Sequence, residues 1–144
     1  MTNNAPIGRV SARSRWIGCI LTGVVVLFLL MDAGMKMLGL PPAIDATTQL
    51  GWPAPSVVLL GVILFACTAL YALPRTAVLG AILLTAYLGG AVAAQARVGN
   101  PLFSHILFGL YVGIAIWSAL YLRIPELREL LHPLRRDLAA EPSP

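Results

Sequence analysis

The chain has 144 residues, of which 58% are hydrophobic and only 11% are charged. A soluble domain carries about 25% charged residues, and most of a small domain is surface, so one core could not bury this many apolar side chains. The formal net charge of +4 comes from sparse Lys and Arg residues without an aromatic-interleaved basic patch, which argues against a nucleic-acid partner. The composition predicts one compact protein in contact with the lipid bilayer.

The first predicted element follows a polar arm, residues 1–15, whose only charges are three arginines. An uncharged apolar run begins at Trp16, and its helical pattern continues to Leu38. A helix over 16–38 has 23 residues and a length of about 35 Å, which crosses a hydrocarbon core of ~30 Å. A basic arm before an apolar run is also typical of a cleaved signal peptide. The continued helical pattern and the lack of a clear cleavage site favour a membrane span.

The next two spans are predicted over 55–73 and 76–96. Prolines in the segment 39–42 end the first helix because proline lacks an N–H donor, and 43–50 forms a short interfacial turn or helix. Pro74 and Arg75 leave room for only a tight connection, so the second and third spans are antiparallel neighbours.

Small residues recur at four-residue steps along the third span, which places them on one helix face. Close helix packing in membranes uses such faces. The predicted packing residues of this span are Ala81, Thr85, Gly89 and Ala93.

A fourth span is predicted over 102–122, where Gly109 and Gly113 continue from His105 at four-residue steps. Both glycines are therefore predicted to face other helices. Residues 123–144 alternate basic and acidic residues with leucines at helical spacing, which is typical of an amphipathic helix on a membrane surface. The sequence thus predicts an all-α transmembrane four-helix bundle, 16–122, followed by a cytoplasmic amphipathic tail.

The orientation follows from the basic residues. Four spans put eight arginines on the side of the two termini and only Lys36 and Arg97 on the other side. Because Lys and Arg accumulate in cytoplasmic segments, both termini are predicted to be cytoplasmic.

Polar residues converge at the opposite, outer end of the predicted bundle. An acid inside a membrane span is a functional hypothesis by default, and Asp32 lies below the outer boundary of the hydrocarbon by helical rise. The candidate outer-leaflet pocket comprises Asp32, Lys36, Gln95, Arg97 and His105, under a predicted lid formed by residues 40–55. In this interpretation Asp32 and His105 exchange protons, while the cations hold a headgroup. In the simpler alternative Asp32 and Lys36 neutralise each other, and Arg97 snorkels to the interface.

The remaining chemistry-bearing residues form no recognisable catalytic or metal motif. Cys19 and Cys67 lie in apolar segments and are predicted to be buried free thiols. No Cys/His spacing typical of zinc and no phosphate loop or nucleophile elbow occurs. The sequence therefore predicts no metal and no cofactor, and it leaves open whether the chain is an enzyme.

Several stretches resemble the DoxX-like family of small bacterial membrane proteins. They are Asp32–Lys36, Gln49–Trp52, Leu73–Thr76, Leu79–Phe103 and Trp117–Arg123. The resemblance covers about residues 16–131 and implies a four-helix bundle in the bacterial inner membrane. One position departs from it, because the family commonly has a histidine where this chain has Gln95.

The resemblance implies little about activity. It is compatible with an accessory membrane protein that binds a partner or a small hydrophobic molecule, without established catalysis. The alternative is a membrane subunit of a quinone-linked oxidoreductase, with a redox protein as its partner and a quinone as its ligand.

Overall fold

A computed structural model describes residues 12–125 and 127, and within them the secondary structure is entirely helical. The elements are α1 (Ala12–Met37), α2 (Pro41–Gln49), α3 (Ser56–Ala72), α4 (Ala77–Arg97) and α5 (Leu107–Arg123), the last entered directly from a π-helical segment, Leu102–Ile106. The all-α prediction is confirmed. Most of the predicted arm and nearly all of the predicted amphipathic tail lie outside the described residues.

Three helices in the described part are long and apolar enough to cross a membrane: α1, α4 and the continuous helix from Leu102 to Arg123. α3 is equally apolar but shorter, with 17 residues. Large hydrophobic side chains cover the outside of the molecule, as at Leu27, which is 71% exposed. An apolar exterior of this extent marks a surface that contacts lipid rather than water.

The four long helices pack in a regular pattern. α1 lies against α3 and α5, and α4 lies against the same two helices. α2, which contacts only α1 and α3 among the described helices, covers one end of this arrangement. The buried core is built from one stripe of each long helix, with these largest members: Leu29 of α1, Leu64 and Tyr71 of α3, Leu84 of α4, and Ile116 and Leu120 of α5. The Tyr71 hydroxyl donates a 3.2 Å hydrogen bond to the carbonyl oxygen of Ile116.

Two glycines lie where neighbouring helices approach each other closely. A Cβ atom added at Gly61 in α3 would lie 2.9 Å from the Met37 nitrogen of α1, and one added at Gly80 in α4 would overlap the backbone of Tyr71. Neither glycine belongs to the predicted small-residue stripes. Both allow the backbones to approach each other directly, as membrane helices often do.

The structure places only some of the predicted packing residues against a neighbouring helix. Ala81 is fully buried, and a Cβ at Gly109 would lie 3.3 Å from the Leu88 carbonyl oxygen, so both residues pack as predicted. Thr85 is exposed but bonds to α5. Gly89 and Ala93 are exposed, since α4 turns their face away from its neighbours in the chain.

Two further positions refine the predicted elements. A Cβ at the half-buried Gly113 would meet nothing within 4 Å in the described part of the chain, so this glycine marks no close contact. α1 begins at Ala12, inside the predicted arm, and it ends before Gly39, whose φ is +60°. Pro41 and Pro42 then start α2, because proline suits the first turn of a helix, where its missing N–H donor is not needed.

Candidate functional site

A cavity of about 430 Å³ lies under α2, at the end of the molecule where α1 and α4 finish. Its walls are mostly apolar, and Phe28 and Phe108 form part of them with their rings edge to face at a centroid distance of 5.7 Å. The lining side chains that carry polar groups are Asp32, Lys36, Thr47, Trp52, Tyr87, Gln95 and His105. Four of the five predicted pocket residues therefore line one cavity.

Asp32 and Lys36 neutralise each other across one turn of α1. The Lys36 Nζ donates to the Asp32 Oδ1, and the acid precedes the base in the order that favours a helical pair. The Lys36 side chain is only 15% exposed and that of Asp32 is 32% exposed. The pair thus presents a dipole to the cavity rather than a net charge.

The other two predicted side chains also have local partners. The Asn100 amide Nδ2 donates to the Gln95 Oε1, and the Asn100 backbone N–H donates to the Gln95 carbonyl oxygen at 3.2 Å. The His105 Nδ1 lies 2.7 Å from the hydroxyl oxygen of Ser104. The turn after α4 and the π-helical segment thereby fix the polar end of the cavity.

Arg97, the fifth predicted pocket residue, does not line this cavity. Its exposed guanidinium Nη2 donates a 2.6 Å hydrogen bond to the carbonyl oxygen of Leu50, just after α2. Side chains two residues apart on a helix do not share a face, and Gln95 already takes the cavity-facing position. Arg97 instead lines a second cavity of about 360 Å³.

The segment 40–55, which the sequence predicts as a lid, lies over the site. α2 contributes Thr47 to the cavity, and the connection that follows it contributes Leu50 and Trp52. The sequence also predicts Trp52 as an interfacial residue. Tyr87, in the middle of α4, lines the cavity as well and was not among the predicted pocket residues.

The chain matches a known protein family. The sequence model of the DoxX-like family matches residues 20–119, which is more than half of the chain. The chain belongs to the DoxX-like family. The match includes every residue that lines the cavity. No curated protein and no solved structure gave a match.

The site of this DoxX-like protein is suited to hydrogen bonding. Within residues 12–125 and 127, no three His, Cys, Asp or Glu side chains are grouped closely enough to hold a metal ion. Cys67 is buried as predicted, whereas the prediction is wrong for Cys19, which is exposed because its face of α1 points outward. The cavity therefore offers an ion-paired acid and base, an amide and an imidazole beside apolar walls.

Proposed function

We propose that this DoxX-like protein is a multi-pass membrane protein with four spans that binds a small hydrophobic molecule at its outer end. The observation that carries this proposal is the cavity of about 430 Å³, which lies within the ~300–1,000 Å³ range of small-molecule sites. Its combination of apolar walls and a few convergent polar groups is also typical of such sites. Binding, rather than catalysis, is the activity that these groups support.

The fourth span in this proposal is α3. Its 17 residues extend about 25 Å, close to the ~30 Å hydrocarbon thickness. The connection from α3 to α4 is short, so the two helices lie antiparallel. Apolar side chains such as Leu59 and Phe65 are exposed on the outer face of α3, where lipid would contact them. A helix packed beside the spanning helices α1 and α4 is expected to cross with them.

The orientation rests on the distribution of basic residues. With four spans, eight arginines fall on the side of the termini, and only Lys36 and Arg97 fall on the other side. This bias favours cytoplasmic termini in the bacterial inner membrane and an outward-facing cavity. In such a membrane the protein would act as an accessory protein, supplying or holding its ligand for a membrane partner.

Mass spectrometry of bound molecules tests the binding proposal. The full-length protein is purified in a mild detergent, extracted with organic solvent and compared with Ala91→Phe, which fills the cavity from α4. The matched control is Ala96→Phe, on an exposed position of the same helix that lines neither cavity. We expect one small hydrophobic compound in the wild type and in Ala96→Phe, and its loss in Ala91→Phe. The same extract from all three proteins would contradict the proposal.

A membrane subunit of a quinone-linked oxidoreductase is the second candidate. It is favoured by one observation, namely that the titratable side chains of Asp32 and His105 line the same cavity. Such groups could deliver protons to a bound quinone. A quinone in the extract, reducible while bound to the protein, would support this candidate. A different compound in a preparation free of quinone would count against it.

A further inference from the structure

The two cavities meet at the side of the molecule. Trp52, Gly90 and Ala94 line both of them. Five of the six residues around the second cavity are exposed, and only Ala94 is half-buried. The second cavity is therefore an open recess that leads from the lipid-facing side of α4 toward the cavity under α2.

The residues that line this passage on the α4 side are small. A Cβ added at Gly90 would meet nothing within 4 Å in the described chain, so the space beside it is free. On the opposite side lies the connection after α2, which holds Gly51 and Trp52. Because α2 packs on α1 and α3 but not on α4, the passage follows the gap between this cover and α4.

Arg97 forms a hydrogen bond across this gap. Its hydrogen bond to the Leu50 carbonyl oxygen joins the end of α4 to the cover. Glycine at position 51, where φ is +82°, leaves room for this contact, since a Cβ there would lie 2.6 Å from the Arg97 Nη2. The bond thus restrains the cover beside the passage without occupying the cavity under α2.

The charges that line the cavity under α2 determine which headgroup it favours. Asp32 and Lys36 are the only charged side chains among its described lining residues, and they neutralise each other. Gln95 already accepts a hydrogen bond from Asn100. A charged ligand would lose its hydration without gaining an unpaired counter-charge, whereas a hydroxyl or carbonyl group could hydrogen-bond to the amide, the imidazole or the ion pair.

We infer that the cavity under α2 takes an uncharged amphiphile from the bilayer, through the lateral passage past Gly90 that the Arg97–Leu50 bond restrains. This inference rests on the proposed function, since it names the ligand class and the route of entry. The polar head lies against the Asp32–Lys36 pair and His105, and the apolar body lies along Phe28 and Phe108.

Fluorescence quenching in lipid nanodiscs tests the ligand class. The full-length protein is mixed with ω-bromoundecanol, with ω-bromoundecyl sulfate or with ω-bromoundecyltrimethylammonium, and the part of the quenching that Trp52→Phe abolishes reports occupancy beside Trp52. We expect the alcohol to bind at least about tenfold more tightly than either charged probe. Equal affinities for the three probes would overturn the preference for an uncharged head.

The route is tested by the rate at which the alcohol binds. Gly90→Leu narrows the passage, and we expect it to slow association by about tenfold or more. Its neighbour Gly89→Leu is the matched control, because Gly89 is also exposed with open space beside it but lines neither cavity. Arg97→Gln removes the bond to Leu50 and is expected to raise the association and dissociation rates together.

The outcomes separate this inference from the proposed function. Unchanged rates in both Gly90→Leu and Arg97→Gln would overturn the lateral route, while saturable binding by the wild type would still support the site. Failure of all three probes to quench Trp52 at any concentration would overturn the inference as a whole. The proposed function would then depend on the mass spectrometry, where a compound lost only in Ala91→Phe would still establish the cavity as occupied.

Discussion

Gly80 lies in the first turn of α4, directly against the backbone of Tyr71 at the end of α3. We expect Gly80→Ala to lower the free energy of unfolding by about 1–3 kcal/mol, because its methyl group would push against backbone atoms that cannot move away. Gly89→Ala on the same helix has open space and should raise that free energy by about 0.5–1 kcal/mol through lower chain entropy. Unfolding in mixed detergent micelles measures both. Equal effects of the two substitutions would contradict this close contact.

The Asp32–Lys36 pair gives a second prediction at the level of single residues. Asp32→Asn leaves the ammonium group of Lys36, with its side chain 15% exposed, without its counter-charge. We expect a loss of about 1–3 kcal/mol in the free energy of unfolding, between the values typical of exposed and buried pairs. The double variant Asp32→Asn/Lys36→Met should recover part of that loss in the same titration. A double variant as unstable as the two single variants combined would show that the ion pair carries no coupling.

The position of an individual residue was predictable where helical rise alone fixed its depth in the predicted bundle. Asp32, Gln95 and His105 come from three different parts of the chain, yet their common depth predicted that they would lie together. Arg97 has nearly the same depth as Gln95, but its angle around α4 directs it to Leu50. The depth of a residue follows from counting residues along its helix. The rotation of a helix about its axis depends on its neighbours, and a helix without distinct apolar and polar faces does not reveal that rotation in its sequence.

At the level of the helices, α4 and α5 are joined by a side-chain hydrogen bond that the sequence did not predict. The Trp117 indole Nε1 donates to the Thr85 hydroxyl at 3.0 Å, and Thr85 in turn donates to the Ala81 carbonyl oxygen at 2.8 Å. Within a bilayer, water is not available to replace a lost acceptor. The bond therefore adds a directional contact to the packing between α4 and α5.

Replacing the hydroxyl by a methyl group tests this contact. Thr85→Val should lower the free energy of unfolding by about 0.5–1.5 kcal/mol, because the indole N–H loses its acceptor. Thr68→Val is the control, since the buried Thr68 hydroxyl donates at 2.7 Å to Leu64 of its own helix. We expect Thr68→Val to have a smaller effect in the same unfolding titration. The reverse order would mean that the bond between α4 and α5 contributes nothing measurable.

The helices and the segment that covers the cavity were largely predictable, but local helix geometry and the packing of the cover were not. Prolines and glycines mark most boundaries, as Gly39 does after α1. The π-helical turn at Leu102–Ile106 was predicted as ordinary α-helix, because apolar periodicity does not distinguish a local widening of the helix. The segment of α2 was predicted as an interfacial turn or helix within a lid over the pocket, but the helices it packs on were not predicted. Its packing on α1 and α3 depends on contacts distant in sequence.

At the scale of the whole molecule, the number of spans decides the relation between the two termini. α1, α4 and the helix from Leu102 to Arg123 are long and apolar enough to cross the membrane. If α3 crosses as well, the number of spans is even and both termini lie on one side. If α3 remains on one surface, the number is odd and the termini lie on opposite sides. The short apolar helix therefore decides the topology and determines which compartment the cavity faces.

Reporter fusions in the bacterial inner membrane distinguish the two arrangements. We expect green fluorescent protein to fluoresce when fused at either terminus, because both termini are cytoplasmic with four spans. Alkaline phosphatase should be inactive when fused after Pro74, between α3 and α4, and active when fused after Gly99, beside the cavity. Fusion after Gly39, which follows only α1, should also be active and serves as the control. Equal phosphatase activity after Gly39 and Pro74 would show that α3 does not cross, and the cover over the cavity would then need a different placement in the membrane.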